Sequence, residues 1–217
     1  MMGVSELTMK TYPIMLDLRG KLAVVVGAGP VGLRKVGGLR EVGARVLLVA
    51  RHVSADALPE GVDIRPEPYR PELLAGAAIV FACTDQPKLN TTIAADAHRV
   101  GALVNVADVP SECDFYAASV LRDGDVLLAI GSGGSSPGLA AWLRRRLATH
   151  LPQHIGEFAA VLDSLRADVR AAIPNDSHGR MKVMKLLVTD ETYEEFLSGG
   201  PQVVRDKLHR LLPDAED

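Results

Sequence analysis

The chain has 217 residues, of which 47% are hydrophobic, 24% are charged and 4% are aromatic, and its formal net charge at pH 7 is -3. This length and composition suit one large domain or two small ones with an ordinary buried core. The few aromatic side chains argue against a base-stacking nucleic-acid surface. The slightly negative charge gives no reason to expect nucleic acid or an anionic membrane as a partner.

Compartment and metal content follow from a few further features. No apolar run approaches the roughly 20 residues that cross a bilayer, and residues 1–16 lack the long apolar stretch of a signal peptide. Cys83 and Cys113 form neither a disulfide framework nor a four-ligand zinc site. The 6 histidines make no H-x-x-x-H or H-E-x-x-H motif in a helix. We therefore expect a cytoplasmic protein that binds no membrane, no nucleic acid and no resident metal.

Up to about residue 107 the sequence alternates short apolar runs with helix-compatible segments, which predicts a parallel α/β sheet. The apolar runs predict strands at 22–26, 45–50, 62–65, 77–82 and 102–106. The predicted helices lie at 30–42, 70–75 and 87–99. Gly43 and Gly101 stand where two of these helices should end, as glycines often do.

Three glycines follow the first predicted strand in G-x-G-x-x-G spacing, namely Gly27, Gly29 and Gly32. A helix and a second strand come next, which is the context in which this pattern binds a dinucleotide. The first glycine would permit the tight turn, the second would let the backbone approach a pyrophosphate, and the third would let the helix pack closely. Because the helix N-terminus would face the phosphates, Pro30 and Val31 belong to the same predicted cofactor turn.

The end of the second predicted strand departs from the usual dinucleotide pattern. An acidic residue about 20 positions past the glycines normally binds the ribose 2′-hydroxyl of NAD, but here Arg51 and His52 occur and the first acid is Asp56. An arginine there can accommodate a 2′-phosphate, so NADP is an alternative to NAD. After the fourth strand, Thr84 and Asp85 lie where a loop would cross the nicotinamide half, although the aspartate could also cap the next helix.

After Asp108 the pattern changes. Two apolar runs, 115–121 and 126–130, flank an Asp-Gly pair and predict a β-hairpin. A glycine- and serine-rich loop follows at 131–137, in which Ser136 is a good N-cap and a proline is a good first helical residue. The remaining sequence predicts helices at about 138–149, 153–173, 178–187, 190–197 and 201–212.

Four features occur together in a fixed order along the chain. They are YPIMLDLRGK at 12–21, GAGPVGLRK at 27–35, NVAD at 105–108, and GSGGSSP at 131–137 with LPQHIG behind it at 151–156. In this order and spacing they resemble the bifunctional precorrin-2 dehydrogenase and sirohydrochlorin ferrochelatase family of siroheme biosynthesis. The resemblance covers roughly two thirds of the chain, and the part after about residue 170 is much less diagnostic.

The resemblance implies that NAD⁺ oxidises precorrin-2 to sirohydrochlorin, and that ferrous iron is then inserted to give siroheme; cobalt is an alternative metal substrate. Family members are homodimers, so a homodimer is expected here. The implied organisation is an NAD(P)-binding Rossmann-like domain at 1–112, a dimerisation and substrate-binding region with the hairpin at 113–150, and a small helical domain at 151–217. At 217 residues the chain resembles the stand-alone form that lacks a fused methyltransferase.

Asp108 is the predicted catalytic residue. It follows a predicted strand, and the carboxyl ends of strands line the ligand crevice of an open α/β sheet. A carboxylate there can accept a proton from precorrin-2 or from the pyrroles as metal enters, and the family assigns its principal catalytic role to the matching aspartate. The alternative is that Asp108 caps the following turn. Asn105, in the same segment, is predicted to contact the cofactor.

The loop at 131–137 is the predicted substrate-binding segment. Its backbone N–H groups and hydroxyls precede a helix N-terminus, which is an anion-binding arrangement, and the implied substrate carries eight carboxylates. Ser132 matches a family position in the tetrapyrrole pocket. The alternative is a flexible connector. The predicted substrate-binding residues are Ser132, Gly133, Gly134, Ser135 and Arg144.

Positive charge is concentrated after this loop. Arg144 to Arg146 are consecutive, so they cannot all share one helix face, and at least one is expected to reach the pocket. Five more cations follow at Arg166, Arg170, Arg180, Lys182 and Lys185. They predict either a basic wall for a polycarboxylate or a solvated face.

Two other functions compete with the bifunctional enzyme. One is a dehydrogenase that leaves metal insertion to a separate chelatase, and the sequence does not separate the two because Asp108 is expected in both. The other is a nucleotide-sensing regulatory domain of a potassium-transport system, which also begins with a glycine turn. The loop at 131–137 and the arginine-rich helix argue against a sensor, since a sensor needs no polyanion pocket.

Overall fold

The computed structural model describes residues 11–53, 60–133 and 136–212. The chain divides into two compact units, of which the first ends at Ala117 and the second begins at Ala118. The predicted fold class is confirmed, because a parallel five-stranded sheet is followed by a two-stranded antiparallel hairpin and a set of helices. Within the described ranges, no helix is both long enough and apolar enough to cross a membrane.

The first unit is built on a parallel sheet. Its strands are β1 (Leu22–Val26), β2 (Arg45–Val49), β3 (Asp63–Arg65), β4 (Ala77–Ala82) and β5 (Leu103–Val106). Their spatial order is β3-β2-β1-β4-β5, and every pair is parallel. This is the order of a doubly wound sheet, whose direction of winding reverses between β1 and β4. Ligands of such sheets bind at the carboxyl ends of the strands near that reversal.

Two α-helices accompany this sheet, α1 (Pro30–Glu41) and α2 (Pro87–Arg99), and both begin with proline. Proline suits this first position because its fixed φ is helical and the missing N–H would have no helical partner. The helix predicted at 70–75 is instead a 3-10 turn at Pro71–Leu74. Four residues between two extended neighbours complete only one turn, which favours the tighter 3-10 form.

Side chains along each strand point alternately to the two faces of the sheet, and they form one apolar cluster on each face. Val25 and Phe81 belong to the cluster that includes α1, whereas Val24, Val80 and Val104 belong to the cluster that includes α2. Successive strand side chains point to opposite faces, and all five of these side chains are at most 5% exposed. The sheet is therefore covered on both faces, and its strand ends are held in a fixed register.

The second unit begins with a hairpin of β6 (Ser119–Asp123) and β7 (Val126–Ile130). Its two-residue turn has Gly124 at φ +54, a conformation that glycine adopts without penalty. The Asp123 carboxylate accepts a 3.0 Å hydrogen bond from the Gly156 N–H. A Cβ at Gly156 would overlap the Asp123 backbone, so glycine allows the hairpin turn and the following helix to approach closely.

Helices make up the rest of the second unit. They are α3 (Pro137–Ala148), α4 (Ile155–Ser164), α5 (Arg166–Ala172), α6 (Ser177–Leu187), α7 (Asp190–Gly199) and α8 (Pro201–Leu211). The helix predicted at 153–173 is divided between α4 and α5. The Val161 carbonyl oxygen accepts both the Ser164 hydroxyl at 2.7 Å and the Leu165 N–H at 3.2 Å. Leu165 at the break is 1% exposed and packs into the core of this unit.

Candidate functional site

The carboxyl ends of β1, β4 and β5 form one edge of the sheet, and hydrogen bonds extend that edge by one residue. The Gly27 N–H donates to the Val49 carbonyl at 2.9 Å, and the Cys83 N–H donates to the Val26 carbonyl at 2.8 Å. The Ala107 N–H donates to the Ala82 carbonyl at 2.9 Å. The glycine turn, the loop after β4 and the loop that contains Asp108 therefore begin side by side. We refer to this region as the carboxyl edge.

The three glycines of the turn have different steric surroundings. Gly27 has φ +109, and a Cβ there would overlap the carbonyl oxygen of Cys83. A Cβ at Gly32 would overlap the carbonyl oxygen of Gly27. A Cβ at Gly29 would meet nothing within 4 Å. The first and third glycines are thus required by the fold, whereas the second leaves open space beside the backbone.

The start of α1 fits a pyrophosphate. Gly29 is its N-cap and supplies no side-chain cap, and the first helical hydrogen bond runs from the Leu33 N–H to the Gly29 carbonyl at 3.0 Å. Because Pro30 has no N–H, the donors without a helical partner are those of Val31 and Gly32. These N–H groups and the positive end of the helix dipole favour an anion. The residues present therefore fit the diphosphate of a dinucleotide.

Arg51 and His52 lie just past β2, beside the glycine turn, and both side chains are exposed. Asp56, the first acid after this strand, lies outside the described residues. An exposed arginine next to the turn is compatible with a ribose hydroxyl and with a 2′-phosphate. The preference for NAD over NADP therefore stays a prediction.

The loop after β4 is held by a residue that sequence reasoning missed. The Thr84 N–H and hydroxyl donate to the Asn90 side-chain oxygen at 3.1 and 2.6 Å, and the Asn90 amide donates to the Thr84 carbonyl at 3.0 Å. Asn90 is only 3% exposed. The N-cap of α2 is Gln86, so the alternative role of Asp85 as that cap is wrong. Asp85 is exposed at the carboxyl edge.

Asp108 has an unusual backbone conformation. Its φ is +62, a left-handed value that costs a non-glycine residue about 1–2 kcal/mol and that aspartate tolerates better than most. The 3-10 turn that follows has Val109 as its N-cap and no side-chain cap, so the alternative role of Asp108 as a turn cap is wrong. Its exposed carboxylate makes no hydrogen bond or ion pair with the described residues. Such strain is typical of residues held in place for a function.

The loop around Asp108 is tied back to β5 by side chains on either side. The Asn105 amide donates to the Phe115 carbonyl at 2.9 Å. The Cys113 thiol lies 3.2 Å from both the N–H and the carbonyl oxygen of Val106, where it can accept and donate. These contacts explain how the left-handed residue is held. They also give Cys113 a structural role. The side-chain amide of Asn105 is engaged by the Phe115 carbonyl, which is part of the protein itself.

Lys35 is a second residue whose position the sequence did not reveal. Its ammonium lies 5.4 Å from the centre of the Phe81 ring, which in turn packs edge-to-face against Phe115. The side chain is half-buried and makes no hydrogen bond or ion pair with the described residues. Burial lowers the pKa of Lys35, and the charge of Arg34 lowers it further. A half-buried ammonium without an anion is costly, so this position suits an anionic group of a ligand.

Cys83 lies next to Lys35 at the carboxyl edge but does not suit nucleophilic chemistry. Burial raises the pKa of its thiol to about 11, although the positive charges of Lys35 and Arg34 oppose the shift. The thiolate is the reactive form of cysteine, and at neutral pH this thiol stays protonated. Cys83 is therefore part of the wall beside the edge.

In the second unit, Ser132 shapes the predicted substrate loop. Its hydroxyl donates to the Ser136 carbonyl at 2.9 Å and accepts from the Ser136 N–H at 3.0 Å. Ser136 caps α3 by accepting a 3.2 Å hydrogen bond from the Leu139 N–H, as predicted. Gly133 has φ +61. Gly134 and Ser135 lie outside the described residues.

The three consecutive arginines of α3 differ in exposure. Arg144 is half-buried, whereas Arg145 and Arg146 are exposed. Only one of the three is thus held against the second unit, in agreement with the expectation that they do not share a face. The role of Arg144 in binding stays a prediction.

Comparison with known proteins gives the class of the first unit. Residues 14–119 match a family model described as putative NAD(P)-binding. A solved structure, "SirC, precorrin-2 dehydrogenase", matches with a TM-score of 0.73 at 19% identity and covers 92% of this chain and 100% of its own. At this identity the likeness shows a shared fold. The first unit is an NAD(P)-binding unit of Rossmann type.

Curated relatives make the assignment more specific, and each of them is named siroheme synthase. They come from Thioalkalivibrio sulfidiphilus (31% identity, 96% of this chain, 43% of the relative), Azotobacter vinelandii (34%, 95%, 46%) and Methylococcus capsulatus (36%, 76%, 36%). This chain is similar to siroheme synthases at 31–36% identity, which confirms the predicted resemblance. It spans less than half the length of these relatives.

Proposed function

We propose that this protein oxidises precorrin-2 to sirohydrochlorin with NAD as the preferred hydride acceptor. The observation that carries the proposal is the placement of Asp108. Its carboxylate, which follows a strained backbone and has no partner among the described residues, lies at the same carboxyl edge as a glycine turn that fits a dinucleotide. The names of the siroheme synthase relatives and of the structural neighbour support the choice of substrate.

The chain's own residues divide the work as follows. The N–H groups of Val31 and Gly32 bind the diphosphate, while Arg51 and His52 flank the ribose. Bound NAD⁺ supplies the acceptor for the hydride that leaves the substrate. Oxidation also releases a proton, and the Asp108 carboxylate accepts it and passes it to water because the side chain is exposed. Thr84, Asp85 and Asn105 line the path between these two ends.

Lys35 fits this reaction as an anchor for the substrate. Precorrin-2 is a polycarboxylate. A half-buried ammonium with no anion beside it in the described part of the chain gains a strong charge-assisted hydrogen bond from one carboxylate. The roles of Ser132 and Arg144 in binding substrate stay predictions.

We further propose that ferrous iron, as a substrate, is inserted after oxidation, with Asp108 accepting pyrrole protons as the metal enters. The name of the relatives supports this step. Oxidation alone, followed by a separate chelatase, is the alternative. Cobalt instead of iron, a homodimer and a cytoplasmic location also stay predictions.

The test is an anaerobic absorbance assay with precorrin-2, NAD⁺ or NADP⁺, and then Fe²⁺ or Co²⁺. We expect a sirohydrochlorin spectrum with NAD⁺, and a further metal-dependent shift faster than the rate without protein. Asp108→Asn keeps the shape of the side chain and tolerates the left-handed φ, and it should lower the rate of oxidation by about 10²–10⁴. Asp63→Asn, an exposed aspartate on β3, is the matched control and should oxidise normally.

Each other outcome has a definite meaning. Oxidation without accelerated metal insertion would support the dehydrogenase-only alternative. Dinucleotide binding without oxidation would contradict the proposal and favour a nucleotide sensor. Equal activities of Asp108→Asn and Asp63→Asn would remove Asp108 from catalysis.

A further inference from the structure

The helical unit contains a groove of about 660 Å³ whose lining is basic and apolar. Four cations line it, and the described residues that line it include no acidic side chain. The residues that matter most are Arg166, Arg170, Arg180, Lys185, Met181 and Met184. Because the whole chain carries a net charge of -3, this concentration of positive charge sets the groove apart from the rest of the protein.

The cations of the groove differ in how far they are already paired. Arg180 is held by two 2.8 Å hydrogen bonds from its guanidinium to the carbonyls of Ile173 and Pro174, which fix its position but supply no negative charge. Arg166 pairs with Asp163 at 3.1 Å, and both side chains are mostly exposed, so this pair is weak. Arg170 and Lys185 make no ion pair or hydrogen bond with the described residues. The groove therefore keeps a net positive charge that a ligand can neutralise.

The apolar part of the groove comes mainly from α6. Met181 is 52% exposed and Val188, just past the helix, is 60% exposed, and Met184 lies beside them. Methionine side chains are flexible and polarizable and adapt to the outline of a flat ligand. Lys185 is four residues from Met181, so a cation and an apolar side chain share one face of α6.

We propose that this groove binds a polycarboxylate tetrapyrrole, as a second site that consists only of residues of the helical unit. The proposal rests on the proposed function for the identity of the ligand. A flat apolar macrocycle with carboxylates on its rim matches a methionine-lined floor ringed by cations, and the volume lies within the usual range for small-molecule sites. Binding here would hold substrate or product on the protein while Asp108 is engaged.

The test uses the full chain and uroporphyrin I, a stable octacarboxylate porphyrin, with no cofactor and no turnover. Isothermal titration and porphyrin fluorescence should give two sites per chain. In Arg170→Gln/Lys185→Gln one of these sites should weaken by about tenfold or more, because two charge-assisted contacts are lost. The matched control is Lys182→Gln/Arg210→Gln, which removes the same charge from exposed positions outside the groove and should keep both sites.

A single site per chain in the unmodified protein, or equal binding by the two double variants, would overturn the proposal. So would an altered sedimentation coefficient of Arg170→Gln/Lys185→Gln with porphyrin binding intact, because the groove would then be a contact between copies. Loss of the second site together with normal precorrin-2 oxidation supports the proposal. If the unmodified protein binds two porphyrins but does not oxidise precorrin-2, the proposed function fails and the groove stands.

Discussion

Among the described residues, each unit contains one non-glycine residue in a left-handed conformation, and these two residues differ in their hydrogen bonds. In the described part of the chain they are Asp108 at φ +62 and His154 at φ +56. The His154 ring is hydrogen-bonded to Glu157 at 3.0 Å, and the residue immediately precedes α4. The Asp108 carboxylate makes no such bond and lies at the carboxyl edge. Similar backbone strain thus precedes a helix in one unit and, in the other, presents an acid that has no hydrogen-bond partner among the described residues.

Replacing Asp108 by glycine tests the functional side of this contrast and has the largest expected effect. Glycine relieves the left-handed strain but removes the carboxylate. We expect the rate of precorrin-2 oxidation to fall by about 10²–10⁴, the range for loss of an acid–base group, while the free energy of unfolding is unchanged or rises by up to about 1–2 kcal/mol. Anaerobic kinetics and denaturant titration measure the two quantities. A parallel loss of stability would show that Asp108 is structural.

The glycine turn offers the next largest effect. Gly32→Ala should lower the free energy of unfolding by about 1–3 kcal/mol, because the new Cβ overlaps the carbonyl oxygen of Gly27. Gly29→Ala has open space around the new Cβ, so its stability should change by less than about 0.5 kcal/mol. Its affinity for NAD⁺ should nevertheless fall, since the methyl group occupies the approach to the backbone.

Denaturant titration of both variants shows which glycine the stability of the fold requires. NAD⁺ titration of both variants shows which glycine cofactor binding requires. Unchanged NAD⁺ affinity in Gly29→Ala would move the diphosphate away from α1. Unchanged stability in Gly32→Ala would contradict the close packing of α1 on β1.

Lys35 gives a smaller effect on substrate binding. We expect Lys35→Gln to raise the KM for precorrin-2 by about tenfold with little change in kcat, because one charge-assisted hydrogen bond is lost. Lys35→Arg keeps the charge and should recover part of the affinity. Arg34→Gln is the control, since it removes the same charge from an exposed position on the same helix. If Lys35→Gln and Arg34→Gln raise the KM for precorrin-2 equally, the increase comes from the change in net charge and not from a contact with Lys35.

The sequence predicted the first unit more closely than the second, and the reason is physical. The bounds of β1 and β4 were predicted to the residue, since short apolar runs were flanked by glycines, and proline marks the start of α2. The helix predicted at 153–173 is divided at Leu165, yet the buried residues Val161, Leu165 and Val169 keep helical spacing across the break. Local patterns thus describe strands and caps well, but an unbroken apolar period gives no sign of a break in a helix.

The candidate site shows the same division. The glycine turn and Asp108 could be located from spacing, because both follow apolar strands. The half-burial of Lys35 could not, since it depends on Phe81, which is distant in sequence. The tie between Cys113 and β5 could not either, since it depends on the irregular path of the loop between them. The Arg-Lys pair after the glycines belongs to the motif at 27–35, but the pattern alone did not distinguish the half-buried cation from its exposed neighbour.

His154→Gly completes the comparison and has the smallest expected effect. Glycine relieves the left-handed strain but loses the contact with Glu157 and adds flexibility to the unfolded chain, so these contributions oppose one another. We expect the melting temperature to change by less than about 4 °C and precorrin-2 oxidation to stay at its normal rate, as thermal unfolding and the anaerobic assay would show. If His154→Gly lost oxidation to the same extent as Asp108→Gly, the strain before α4 would also serve the reaction. A normal rate of oxidation would instead show that, of the two left-handed residues, only Asp108 at the carboxyl edge serves the reaction.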